Sequence, residues 1–223
     1  GKYDQMSNIG PAGFEIRADS LEVGVFGEVN YIDATRPGLS INDAIGDSEF
    51  NLTSFVREGM GVFVMEPFTG QLWSTPPDDR FEAGDYGVPT GAKTMFCFWL
   101  RTPEERENML TFLDEVVHEN YVVYMTTLRR TVDEIHYSSE WAMDSTLYGR
   151  NIYSYLESQG ALEVRELDGN DKFPYVLAYR KGVCVLGEAV GDDEEDQIQI
   201  RIQYPQRFVS GSMLSPVFGP SSN

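Results

Sequence analysis

The cysteines and histidines of this sequence, Cys97, Cys184, His118 and His136, are the side chains from which a thiol-imidazole pair or a zinc site would be built. A thiol nucleophile needs partial exposure and an imidazole beside it, and these four match no thiol-imidazole signature. His118 falls at the end of a predicted helix and His136 in a polar stretch. Their spacings do not form the paired pattern of a zinc site. The acidic phrases "DGNDK" at 168–172 and "GDDEED" at 191–196 offer oxygen ligands, but they lack the regular alternation and closing glutamate of a calcium loop, and a solvated turn accounts for them. "GMG" at 59–61 precedes a strand, whereas a phosphate cradle needs its glycines between a strand and a helix N-terminus. No catalytic residue, metal or cofactor is expected. Cys97 and Cys184 both fall in predicted strands, and a disulfide between them requires Cα atoms within about 7 Å, so a bridge and two free thiols both stay open.

What remains is the chemistry of binding. Trp73, Trp99, Trp141 and Tyr148 have Arg101, Arg129 and Arg150 near them in sequence. A flat aromatic face flanked by a guanidinium and a carboxylate suits a sugar ring, although large aromatics serve equally well as core. The contact patch expected on these grounds is Trp99, Arg101, Trp141 and Asp144.

The elements that must position these residues follow from patterning. The chain has 223 residues, 41% hydrophobic and 13% aromatic, enough for a sizeable core. Its 36 acidic and 17 basic side chains give a formal charge of -19, which disfavours a phosphate backbone or an anionic membrane face as partner. Nucleic acid is not an expected partner. No apolar run reaches the length of a membrane-spanning helix, so membrane insertion is not expected. The opening residues lack a secretory signal pattern and the last ones end on a turn-rich phrase, so the chain is read as a piece of a longer polypeptide.

Period-2 alternation marks strands between Phe14 and Val29 and in "DQIQIRIQY", where Ile198, Ile200 and Ile202 share one face. That last strand is expected to pair with the N-terminal ones and close a second sheet. Residues 33–54 and 74–91 carry loop chemistry. "GVFVMEPFTGQLW" reads as strand, Thr69-Gly70 turn and strand, "AKTMFCFWL" and "YVVYMTT" as buried strands, "LEVREL" as another. Thr102, Pro103 and Glu105 predict a capped helix start, with an apolar face from Met109 to Val117. A second helix is predicted over "LYGRNIYSYLESQGA", capped by Gly160. "FPYVLAYRKG" is a core strand with Pro174 at its edge. The alternation of strands and helices over residues 92–182 suggests βαβ units. The expected class is α+β, two packed β-sheets in a sandwich-like arrangement with flanking helices, a central βαβαβ segment and all-β flanks. The expected divisions are 1–58, an N-terminal β segment and loop; 59–182, an α/β module; and 183–223, a C-terminal β segment leading into a following module.

In order and spacing, "GMGVFVMEPFTGQLW", "FCFWLRTPEER", "FLDEV", "YVVYMTT", "LESQGALEVREL" and "PYVLAYRKG" resemble the interleukin-like EMT inducer domain, over about residues 59–182. "WAMDS", "LESQGA" and "SGSMLSPVFGPSSN" are similar to its version in very large surface proteins of Bacteroidetes-type bacteria, some related to gingipain-type cysteine peptidases of the type IX secretion system. The resemblance implies two packed sheets with short helices and a secreted or surface location. It also implies a non-catalytic module that contacts neighbouring modules or another surface protein, or alternatively a glycan. The family often carries Phe-Asp where this chain has Phe98-Trp99, and Arg-Asp where it has Lys172-Phe173, so acidic side chains suited to gripping sugar hydroxyls are missing at both places.

Overall fold

The computed structural model describes residues 6–10, 13–16, 20–28, 38–41, 44–45, 58–73, 94–129 and 133–205. The expected loop at 74–91 and the closing phrase at 210–223 lie outside the described residues.

The described residues form the strands β1 (Met6–Gly10), β2 (Gly13–Ile16), β3 (Ser20–Glu28), β4 (Gly38–Ile41), β5 (Ala44–Ile45), β6 (Glu58–Met65), β7 (Phe96–Phe98), β8 (Val122–Arg129), β9 (Tyr175–Arg180), β10 (Cys184–Val190) and β11 (Gln197–Pro205). They form a β1-β2 ribbon, a five-stranded sheet in the order β10-β9-β8-β6-β7 and a four-stranded sheet in the order β11-β3-β4-β5. The helices are α1 (Pro103–Thr111), α2 (Ser138–Trp141), α3 (Ser145–Tyr148) and α4 (Ile152–Gln159).

Alternation along the strands builds three layers. In β6, β8 and β9 the side chains of Met60, Val62, Val64, Val123, Met125, Leu177 and Tyr179 face the helices, meeting Leu110, Phe112, Trp141, Ile152 and Leu156. Their sequence neighbours Phe63, Met65, Tyr124, Val176 and Ala178 face the other way, against Val23, Val25, Ile200 and Ile202 of the smaller sheet. The five-stranded sheet is thus apolar on both faces, and full burial of each large side chain is worth about 1.5–3 kcal/mol. The α+β class with two packed sheets and flanking helices is the architecture found.

Several local expectations are corrected. All pairings among the described strands are antiparallel. β8 and β9 are direct antiparallel neighbours, so the helices between them return the chain beside itself and make no parallel crossover. β7 and β8, joined through α1, run in the same direction, but each pairs antiparallel with β6 between them. β2 pairs with β1, and β3 lies between β11 and β4. The stretch read as loop over 33–54 contains β4 and β5. "LEVREL" is a 3-10 turn at Val164–Leu167, because its buried residues Val164 and Leu167 recur every third position rather than every second. The second helix is interrupted where Gly149 takes a left-handed φ of 73°. It restarts as α4 behind the Asn151 cap and ends at Gly160, φ 104°.

The first helix passes from α1 into a π-helical turn, Phe112–Val116. Lys181, only 4% exposed, holds the end of that turn by donating from Nζ to the carbonyls of Asp114 (2.5 Å) and Val117 (2.7 Å). Lys181→Met should strand both acceptors and cost about 2–3 kcal/mol. Urea unfolding that leaves the midpoint where the wild type has it would refute this anchor.

Candidate interaction surface

The antiparallel registers bring one set of strand ends to one rim of the five-stranded sheet. Glu58 at the start of β6 lies opposite Arg129 at the end of β8, and Tyr175 at the start of β9 lies opposite Val190 at the end of β10. The Trp99–Arg101 strip leaves β7 at this rim and runs into α1. Arg101 stacks on Trp99 with its guanidinium carbon 3.8 Å from the ring centroid, a cation-π geometry. Its Nη2 donates to Glu105 Oε1 (2.7 Å), and its backbone N–H donates to Glu105 Oε2 (2.9 Å). Glu105 also accepts from the Thr102 backbone N–H, while Thr102 Oγ1 accepts from the Glu105 N–H. The capping box predicted from sequence therefore fixes the arginine as well as the helix.

Carboxylates surround the strip. Burial would raise the Glu105 carboxyl, but hydrogen bonds from Arg101 and Thr102 outweigh it and hold it below its ordinary range. Glu58, 3.9 Å from Arg101 Nε, is raised first by burial, with Glu134 and Glu105 adding to that against Arg101. The phenol of Tyr137 is raised by burial and then by Glu58.

Arg106, one turn into α1, points inward. It is 1% exposed and forms a bidentate pair with Asp144, Nε to Oδ2 at 2.6 Å and Nη2 to Oδ1 at 2.8 Å. Its Nη1 donates to the Leu100 carbonyl (2.8 Å) and approaches Glu140 (3.4 Å). One guanidinium thus ties the strip to the helical stretch from Ser138 to Tyr148.

The four residues expected to form one contact patch are divided. Trp99 and Arg101 meet at the surface. Trp141 is fully buried, its ring 5.2 Å from that of Tyr153 and its indole N–H donating to the His136 carbonyl. Asp144 is buried against Arg106. These two serve the interior because they lie three apart on one helical face. The opposite face presents Met143 and Leu147, each 63% exposed, and Tyr148 at 38%. The four-residue spacing of Met143 and Leu147 was the signal available for that outer face.

The cysteines are both free, Cys97 buried and Cys184 exposed. They sit on β7 and β10, the opposite edges of the sheet, about 19 Å apart at four strand spacings, so the disulfide is ruled out within the chain. Burial pushes the Cys97 thiol well above its ordinary range. His118 is exposed near Trp73 and Tyr121. No group of three or more His, Cys, Asp or Glu among the described residues is arranged to hold a metal ion.

A cleft of about 440 Å³ opens at the same rim, lined by Ile135, Asn170, Asp171, Lys172, Phe173 and Glu194 among others. Lys172 pairs with Glu194 at 3.0 Å. Asp171 accepts from Ser139 N–H (2.7 Å), Ser139 Oγ (2.7 Å) and Ser138 Oγ (3.1 Å), which hold its carboxyl below the ordinary range despite burial. Behind the cleft His136 is fully buried, its Nε2 2.9 Å from the Phe173 carbonyl. That oxygen can only accept, so Nε2 carries a proton, and burial keeps the ring neutral at pH 7.

Burial lowers His136 from 6.5 to about 4. Between these values the unfolded chain binds a proton that the folded chain refuses, so stability is full above pH 6.5 and falls as pH drops towards 4. The loss amounts to about 3 kcal/mol; loss through Asp171 begins only below its ordinary 3.8. Urea titrations across this window should show a steeper loss in the wild type than in His136→Gln; parallel curves would exclude His136 as its source.

No protein-family model matches the chain, and no curated protein matches it in sequence.

Proposed function

We propose that the chain is a non-catalytic interaction module of a larger bacterial surface or secretion-associated protein, displayed outside the cell. The setting rests on the sequence resemblance. The contact surface rests on one observation, the half-buried Trp99–Arg101 stack with its arginine held by Glu105. Tryptophan and arginine dominate the energetics of protein interfaces, and a side chain already ordered before contact loses less entropy on binding. Capture from the producing cell should recover a neighbouring module or surface protein, and Trp99→Ala should reduce its yield by about tenfold. Equal recovery by wild type and variant removes this surface from the reading.

The cleft between Phe173 and Glu194 favours a second reading, a carbohydrate-binding module, with Phe173 as the ring platform. Calorimetric titration with neutral and acidic oligosaccharides separates the two. Binding abolished by Phe173→Ala supports the sugar; no heat with either class supports a protein partner.

A further inference from the structure

We propose that the outward face of the Ser138–Tyr148 stretch docks a cationic polypeptide segment that carries apolar side chains. This rests on the reading of the chain as an interaction module and names the chemistry of its partner. Met143 and Leu147 stand one helical turn apart and are each 63% exposed, with Tyr148 beside Leu147 in sequence at 38%. The inner face of the same stretch is fixed by fully buried Trp141 and by the Asp144–Arg106 pair. The apolar side chains therefore stand on a rigid base, and docking onto them orders little that is not already ordered.

The balance of charge around them is negative. Glu104, exposed in the first turn of α1, and Glu107 both act on Tyr148, whose phenol is raised first by desolvation and then by these carboxylates. Glu140 is 44% exposed at the start of the row. The nearby cations are outnumbered by the carboxylates they pair with: Arg106 with Asp144 and Glu140, and Arg150 with Glu107 and Asp114, which leaves Glu104 and a negative balance. With a whole-chain charge of -19, a second copy of this chain is repelled from the face and a lysine- or arginine-bearing segment is drawn to it.

The test uses three short labelled peptides followed by fluorescence anisotropy: an amphipathic lysine-leucine peptide, its glutamate-leucine counterpart and a lysine-serine counterpart. The lysine-leucine peptide should bind, the glutamate-leucine peptide should not, and the lysine-serine peptide should bind at least about tenfold more weakly. The double variant Met143→Ser/Leu147→Ser, checked for a wild-type melting temperature, should weaken lysine-leucine binding at least about tenfold. Leu162→Ser, at an 88% exposed position outside this stretch, should leave it unchanged. Undiminished binding by the double variant, or equal binding of the glutamate-leucine peptide, overturns the proposal. If the double variant binds normally and Trp99→Ala does not, this docking face is wrong while the interaction reading stands.

Discussion

Replacing Arg106 with Met should destabilise the protein by about 3–5 kcal/mol, because Asp144 would be left as a buried charge without its bidentate partner. The same change strands the Leu100 carbonyl, which accepts from Arg106 Nη1 at 2.8 Å. Asp144→Leu alone should cost a similar amount by leaving the buried guanidinium without its bidentate partner. The double variant Arg106→Met/Asp144→Leu should recover most of the loss, since a buried ion pair contributes little relative to apolar side chains of matching volume. Denaturant unfolding of the four proteins closes the cycle. Additive losses, with no recovery in the double variant, would show that the two residues do not act as a pair.

Gly59→Ala should be of comparable size for a different reason. Gly59 takes a φ of +129°, and a Cβ there would lie 2.0 Å from the Phe98 carbonyl oxygen and 3.2 Å from the Trp99 Cα. Neither neighbour is the end of a flexible side chain, so β7 must move away from β6. We expect a loss of about 3–5 kcal/mol, together with loss of whatever contact the Trp99–Arg101 strip makes. Gly149→Ala is the control: φ is +73° but nothing lies within 4 Å of its Cβ, so only the local backbone cost of about 1–2 kcal/mol applies. Thermal melts that place the two variants together would show that the β6-β7 contact is not the tight one described.

Residues whose environment is local were readable in the sequence. Thr102, Pro103 and Glu105 announce a helix start and form it; Gly160 announces a stop and caps α4. The alternation of Ile198, Ile200 and Ile202 placed β11 correctly in a second sheet beside an N-terminal strand. Strand direction was not readable, because burial on both faces looks the same in parallel and antiparallel sheets. The contact patch failed on helix phase. "WAMDSTLY" holds polar and apolar residues on both faces, and its inward side is decided by Arg106, 38 residues before Asp144. Nothing near Asp144 in sequence reveals that partner.

The pairing of β3 with β11 runs from Gln197 opposite Glu28 to Pro205 opposite Ser20, so the smaller sheet needs strands from both ends of the described chain. During synthesis, β6 to β10 can emerge and pair while β11 is still inside the ribosome. Until it appears, Phe63, Met65, Tyr124, Val176 and Ala178 lack part of their cover, and the nascent chain presents an adhesive apolar sheet to the cell. Chaperone engagement is expected to concentrate in that interval and to end when β11 docks.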